Sequence, residues 1–152
     1  MIRIKMLAWF MLTLGINGCK THQPDNLPPT QLRFGSGGGF TGALTEYVLL
    51  ENGQVFVRKN LEDDYQLLGK VKKSKAKALF KSWENQPFLK EEFQHPGNIY
   101  YFVSMTKEDK NHRLSWGHHN HPASDELKFF YKECNTLVKK MKPAAAKDKT
   151  NR

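Results

Sequence analysis

Residues 43–59 read ALTEYVLLENGQVFVRK, two runs rich in β-branched and aromatic residues on either side of Asn52-Gly53. Asn-Gly is the pair that a two-residue type I′ turn requires, because both central residues need positive φ. The stretch therefore predicts an antiparallel hairpin, Ala43 to Leu50 against Gln54 to Lys59. Upstream, Gln31 to Phe34 is a short strand candidate, and Gly35 to Gly42, GSGGGFTG, reads as a glycine-rich loop. Downstream, Tyr65 to Val71 supplies another strand after the acidic turn Glu62-Asp63-Asp64.

Beyond these strands the periodicity changes. Ala76, Leu79, Phe80 and Trp83 fall at i, i+3, i+4 and i+7, the stripe of a helix with Ser74 as its N-cap. Lys73, Lys75, Lys77 and Lys81 lie off that stripe and form its solvated face, and Pro87 ends the helix. Phe88, Leu89 and Phe93 anchor an irregular connection. Asn98 to Met105, NIYYFVSM, is the strongest strand, and His112 to Trp116 pairs back across a charged turn. A last helix opens at Ser124 with Asp125 and Glu126 in its first turn, charges that suit the helix dipole. Strands in a run with helices segregated after them indicate an α+β fold, an antiparallel sheet of about five to six strands with two helices packed on one face.

The other decisive stretch is Met1 to Cys19, MIRIKMLAWFMLTLGINGC. Arg3 and Lys5 precede an apolar run from Met6 to Leu14, which reads as an export signal over residues 1–18. The run is shorter than the roughly 20 residues a membrane span needs. Ile16-Asn17-Gly18-Cys19 resembles the bacterial lipoprotein lipobox, although Asn17 departs from the small or apolar residue usual there. The resemblance implies that Cys19 is lipidated and anchors the protein in a membrane. Lys20, in place of an aspartate beside the cysteine, implies sorting to the outer membrane. Residues 19–30, with Pro24, Pro28 and Pro29, are expected to be a flexible linker. The domain then spans 31–142, and 143–152 form a disordered tail.

Removing residues 1–18 takes two bases and no acid from a chain of net charge +9, leaving 22 basic and 15 acidic residues, net +7. Such a surface suits lipid headgroups or acidic glycans; an exported compartment argues against nucleic acid. The mature length supports one core. With Cys19 committed to lipid, Cys134 has no disulfide partner and reads as a buried thiol on the last helix. From Leu32 to Lys140 the element order resembles a family of small exported bacterial domains with no assigned activity. The shared pattern is a glycine-rich turn before Tyr47-Val48-Leu49, an Asn-Gly hairpin, Gly69-Lys70-Val71, a helix, a second hairpin and a final helix. The resemblance implies a fold and brings no catalytic residues.

Three constellations could carry chemistry. Gly37, Gly39 and Gly42 formally match a dinucleotide fingerprint, but that mechanism needs a helix after the glycines, and Ala43 to Leu50 is β-rich; no cofactor is expected. His112, His119 and His121 are the candidate metal ligands of a histidine-rich loop, the basis of an alternative reading as a metal-binding protein or metalloenzyme. Tyr100, Tyr101, Phe102 and Trp116 are the candidates for a partner-binding aromatic strip if one sheet face is open, Tyr101 and Val103 sharing one face of their strand and Tyr100, Phe102 and Ser104 the other; a covering layer from the linker or a curved sheet would hide them instead. The expected function is a non-enzymatic envelope lipoprotein that binds a protein or glycan partner.

Overall fold

The computed structural model describes residues 21–141, so the signal segment, Cys19 and the 143–152 tail lie outside the described residues. Strands β1 (Gln31–Gly38), β2 (Ala43–Leu49), β3 (Gln54–Arg58) and β4 (Gln66–Lys70) come first. Helix α1 (Lys73–Glu84) follows, then a 3₁₀ turn (Pro87–Lys90), β5 (Gln94–His95), β6 (Ile99–Lys107), β7 (Lys110–Trp116) and α2 (Asp125–Val138). The strands form one sheet in the order β4-β3-β2-β1-β6-β7-β5. Both helices cover one face: Leu79, Phe80 and Trp83 of α1 and Leu127, Phe130 and Cys134 of α2 share a core with Leu32, Phe34, Val103 and Leu114. The α+β class is as the sequence indicates.

The sheet has seven strands rather than five to six, and it is mixed rather than purely antiparallel. The added strand, β5, is two residues long and runs parallel to β7, with Gln94 opposite Ser115 and His95 opposite Trp116. Two residues carry no readable alternation, and a parallel edge pairing has no turn to announce it.

Four local expectations are also corrected. The hairpin after β2 is not a two-residue turn. Gly53 N–H donates to Leu50 O, Glu51 and Asn52 sit between them, and Gly53 takes φ +90°. Among the described residues Glu108 is the only non-glycine with positive φ, so Asn52 does not adopt it. This is the three-residue loop with glycine at the left-handed position, and Asn52 Oδ1 accepts from Gln54 N–H at 2.9 Å instead. Next, the glycine-rich segment is strand as far as Gly38: β1 lies mid-sheet, paired with β2 from Leu32 to Gly38 and with β6 from Gln31 to Gly38. A Cβ at Gly37 would collide with the Tyr100 ring, which lies across β1. Third, α1 begins at Lys73, so Ser74 is inside it, and Lys72 at the cap makes no side-chain bond. By contrast, Ser124 caps α2 as expected, its Oγ accepting from Leu127 N–H.

Fourth, residues 21–30, expected to be a free spacer, contact the domain. His22 N–H donates to Gln54 Oε1 at 2.8 Å, and Gln54 Nε2 donates back to His22 O at 3.0 Å. Leu27 packs on Val48, Leu50 and Phe56, a small apolar cluster on the face away from the helices. Prolines keep the segment to a single isolated bridge, Gln23 to Asn26, but do not keep it from docking.

Candidate functional site

Side chains alternate across a sheet, so register decides which residues share a face. Arg33 lies opposite Val48 and Ser104, Gly35 opposite Glu46 and Phe102, Glu46 opposite Arg58, and Ser104 opposite Arg113. These residues stand on the face away from the helices. Three guanidiniums and one carboxylate meet there.

Glu46 is the hub. Its side chain is 4% exposed, and its Oε2 takes Arg58 at 2.6 Å and the Tyr65 hydroxyl at 2.9 Å. Arg33 Nη1 stands 3.9 Å from Oε1, and its Nε donates to Gln31 Oε1 at 2.9 Å. A carboxylate so withdrawn from water is tolerable only because ion pairing and hydrogen bonds replace its hydration. Tyr65 also lies under the Arg58 guanidinium, 4.8 Å from ring centroid to Cζ. Burial, reinforced by Glu46, pushes the Tyr65 phenol up to about 12.

Arg113 is placed differently. Its guanidinium carbon stands 3.9 Å from the Phe102 ring centroid, in stacking distance, and Phe102 is fully buried beneath it. Among the described residues Arg113 makes no ion pair and its guanidinium donates no hydrogen bond. Burial draws its pKa below the ordinary arginine value, while the field of Glu46 and of Tyr100 pulls the other way. Beside it, Tyr100 lies over Gly37, and Ser104 donates to Asn111 Oδ1 at 2.6 Å. The result is a desolvated, pre-positioned cation on a face whose strands carry three arginines against one glutamate. It can take a carboxylate or phosphate edge-on.

The expected aromatic strip is divided between the two faces. Tyr100 and Phe102 belong to the arginine face. Tyr101 and Trp116 stand on the helix-bearing face, with ring centroids 5.6 and 5.2 Å from Tyr131; Trp116 is buried, while Tyr101 at the margin stays exposed. One residue of register separates Tyr100 from Tyr101, and that reverses the side.

The histidines divide too. His112 stands on β7 beside Trp83, 6.1 Å between ring centroids, and its Nε2 is buried with no partner among the described residues. It is four residues along the strand from Trp116, roughly 13 Å at the usual rise, so it does not join His119 and His121. The loop instead gathers His95, stacked on His121 at 4.0 Å, and His118, 4.8 Å from His119 and 5.4 Å from His121. Stacked rings present faces to each other rather than lone pairs to a common point. Among the described residues no group of three or more His, Cys, Asp or Glu side chains is placed to hold a metal ion. Cys134 is fully buried in the core, and burial drives its thiol well above the ordinary range. Gly37 and Gly38 are in β1 and Gly42 N–H donates to Gly39 O, so the glycines build a strand and a tight turn with a strand, not a helix, after them.

Sequence reasoning passed over the arginines. The available signal was their position: Arg33, Arg58 and Arg113 fall inside strands, where a solubilising surface would favour lysine. No protein-family model matches the chain, and a search of curated proteins finds no match. No helix among the described residues is long and apolar enough to cross a membrane.

Proposed function

We propose that the chain is a non-enzymatic binding module of the bacterial cell envelope, anchored in the outer membrane through lipidated Cys19, whose open sheet face takes an acidic glycan. The observation that supports this most directly is Arg113: stacked on Phe102, half-buried and without a carboxylate partner. A uronic acid carboxylate would pair with the guanidinium, and Tyr100 with Asn111 offers hydroxyl-scale hydrogen bonding beside it. The basic mature chain draws such polymers by its field, and Arg113 supplies the specific contact.

The test is calorimetric titration of the protein with a polyuronate and with a neutral polymer of the same linkage. The expected result is binding of the polyuronate alone, weakened about 10- to 100-fold by Arg113→Ala, the range for a lost charge-assisted hydrogen bond. Equal binding of both polymers, or no effect of Arg113→Ala, would overturn the reading. A second reading, metal handling, rests on the His95, His118, His119 and His121 group. One equivalent of a transition metal in the purified protein, lost when His119 and His121 are changed, would favour it.

A further inference from the structure

We infer that a cleft beneath α1, separate from the arginine face, is a binding site for a single-chain amphiphile with an anionic head. The cleft has a volume of about 720 Å³ and lies between α1 and the ends of β6 and β7. That is the size of a small-molecule site. Its floor is apolar, made by Phe80, Trp83, Leu89 and Met105, with His112 in the wall. Its rim is cationic: Lys77 and Lys81 from α1, Lys107 and Lys110 from the β6–β7 hairpin, against Glu51 and Glu84. Glu84 is paired with Lys107 at 3.1 Å, and among the described residues Lys77, Lys81 and Lys110 have no ion-pair partner.

An apolar slot ringed by free ammonium groups matches one ligand chemistry: a hydrocarbon chain in the slot and a carboxylate or phosphate at the rim. A neutral lipid would leave the lysines unused, and a small inorganic anion would leave the slot empty. Lys77 and Lys81 are one helical turn apart and face the same mouth.

The position of the cleft identifies the source. It is lined by Thr30 just before β1 and by Glu51 just after β2, so it opens at the end of the sheet where Gln54 holds His22. Cys19 is three residues before His22, roughly 10 Å of extended chain. On the lipid-anchor reading, this end of the domain faces the bilayer and the ligand comes from it. The cleft's chemistry does not depend on that reading, and the arginine face takes no part in it.

The experiment uses Trp83 as reporter in the mature chain, with a bromine-labelled long-chain fatty acid kept below its micelle concentration. The expected result is saturable quenching of tryptophan fluorescence, at least tenfold weaker in affinity for the brominated alcohol of the same chain. The double variant Lys77→Glu, Lys81→Glu should weaken fatty-acid binding at least tenfold. Both lysines are exposed, so this variant keeps the fold; Arg113→Ala should bind the fatty acid as wild type does. Quenching that does not saturate, that is equal for acid and alcohol, or that is unchanged in the lysine double variant would overturn the inference. Trp83→Phe should abolish the quenched component, leaving Trp116 to report once residues 1–18 are removed.

Discussion

On the covered face of the sheet, Phe34, Val103 and Leu114 meet Trp83, Phe130 and Cys134. On the other face, the same strands put Arg33 and Arg58 against Glu46 and Arg113 over Phe102. Strand alternation supplies both sets from one backbone, but they are held by different physics. The covered face gains from area removed from water, which is non-directional and tolerates exchange of similar shapes. The open face depends on direction, because each buried charge needs its partner in place. The first face therefore carries stability, and the second offers recognition.

The largest effect should come from breaking the covered face. Phe130 is 1% exposed and contacts Trp83 and Phe88, with ring centroids 5.4 and 6.0 Å apart. Phe130→Ala should cost about 3–5 kcal/mol, the range for a buried aromatic truncated in a packed core. Chemical denaturation would show it as a lower midpoint at unchanged slope. A cost below about 1 kcal/mol would mean that the two helices are not the stabilising layer.

Glu46→Gln attacks the open face and should cost about 2 kcal/mol. The amide keeps the volume but strands Arg58 and Arg33 without a counter-charge. The cost falls short of a fully buried pair because the Arg33 side chain is 32% and the Arg58 side chain 19% exposed. The apolar face should be untouched, so near-ultraviolet circular dichroism from Trp83 and Trp116 should stay native.

This contrast also shows what could be read beforehand. The covered face was legible because its residues obey a period: Ala76, Leu79, Phe80 and Trp83 along α1, and alternate apolar positions along the strands. The open face was not, because its logic lies in pairing between strands distant in sequence. Nothing local to Glu46 says that Arg58 and Tyr65 will close on it; alternation along β6 does separate Tyr100 and Phe102 from Tyr101 and Val103, but it does not say which of the two faces the helices cover. The glycines misled for a related reason: Gly35 and Gly37 are in the sheet because β2 and Tyr100 crowd against them, contacts with no local signature. The lysine-rimmed cleft was half visible, as the solvated face of α1, without the hairpin that completes it.

Tyr65 gives the comparison a pH axis. Its phenol holds its proton to about 12 in the folded protein against 10.0 in the open chain. Below pH 10 both states are protonated and the contribution to stability is fully present. Between pH 10 and 12 the unfolded chain releases the proton first, so stability falls through that window and levels off above it. The fall should be shallower in Tyr65→Phe. In Glu46→Gln the phenolate should form at lower pH, since the carboxylate both repels the phenolate and accepts the phenol's hydrogen bond. Alkaline difference absorbance against Tyr65→Phe would show both shifts.

The smallest effect should come from the ion pair at the rim of the cleft. Lys107 and Glu84 approach as closely as many buried pairs, at 3.1 Å, but their side chains are 65% and 60% exposed. Water already solvates both groups, ordering two long side chains costs entropy, and salt screens what attraction is left. Glu84→Gln should therefore change stability by less than about 0.5 kcal/mol, against the larger loss from Glu46→Gln. The two substitutions are the same chemical change, made at a buried carboxylate that holds Arg58, Arg33 and the Tyr65 hydroxyl and at an exposed one that holds Lys107 alone. If Glu84→Gln proved as costly as Glu46→Gln, the pair would have to be bracing α1 against the hairpin, and the cleft would be a structural seam instead of an open mouth. If it is as mild as burial predicts, removing Glu84 should leave Lys107 free and strengthen fatty-acid binding at the rim.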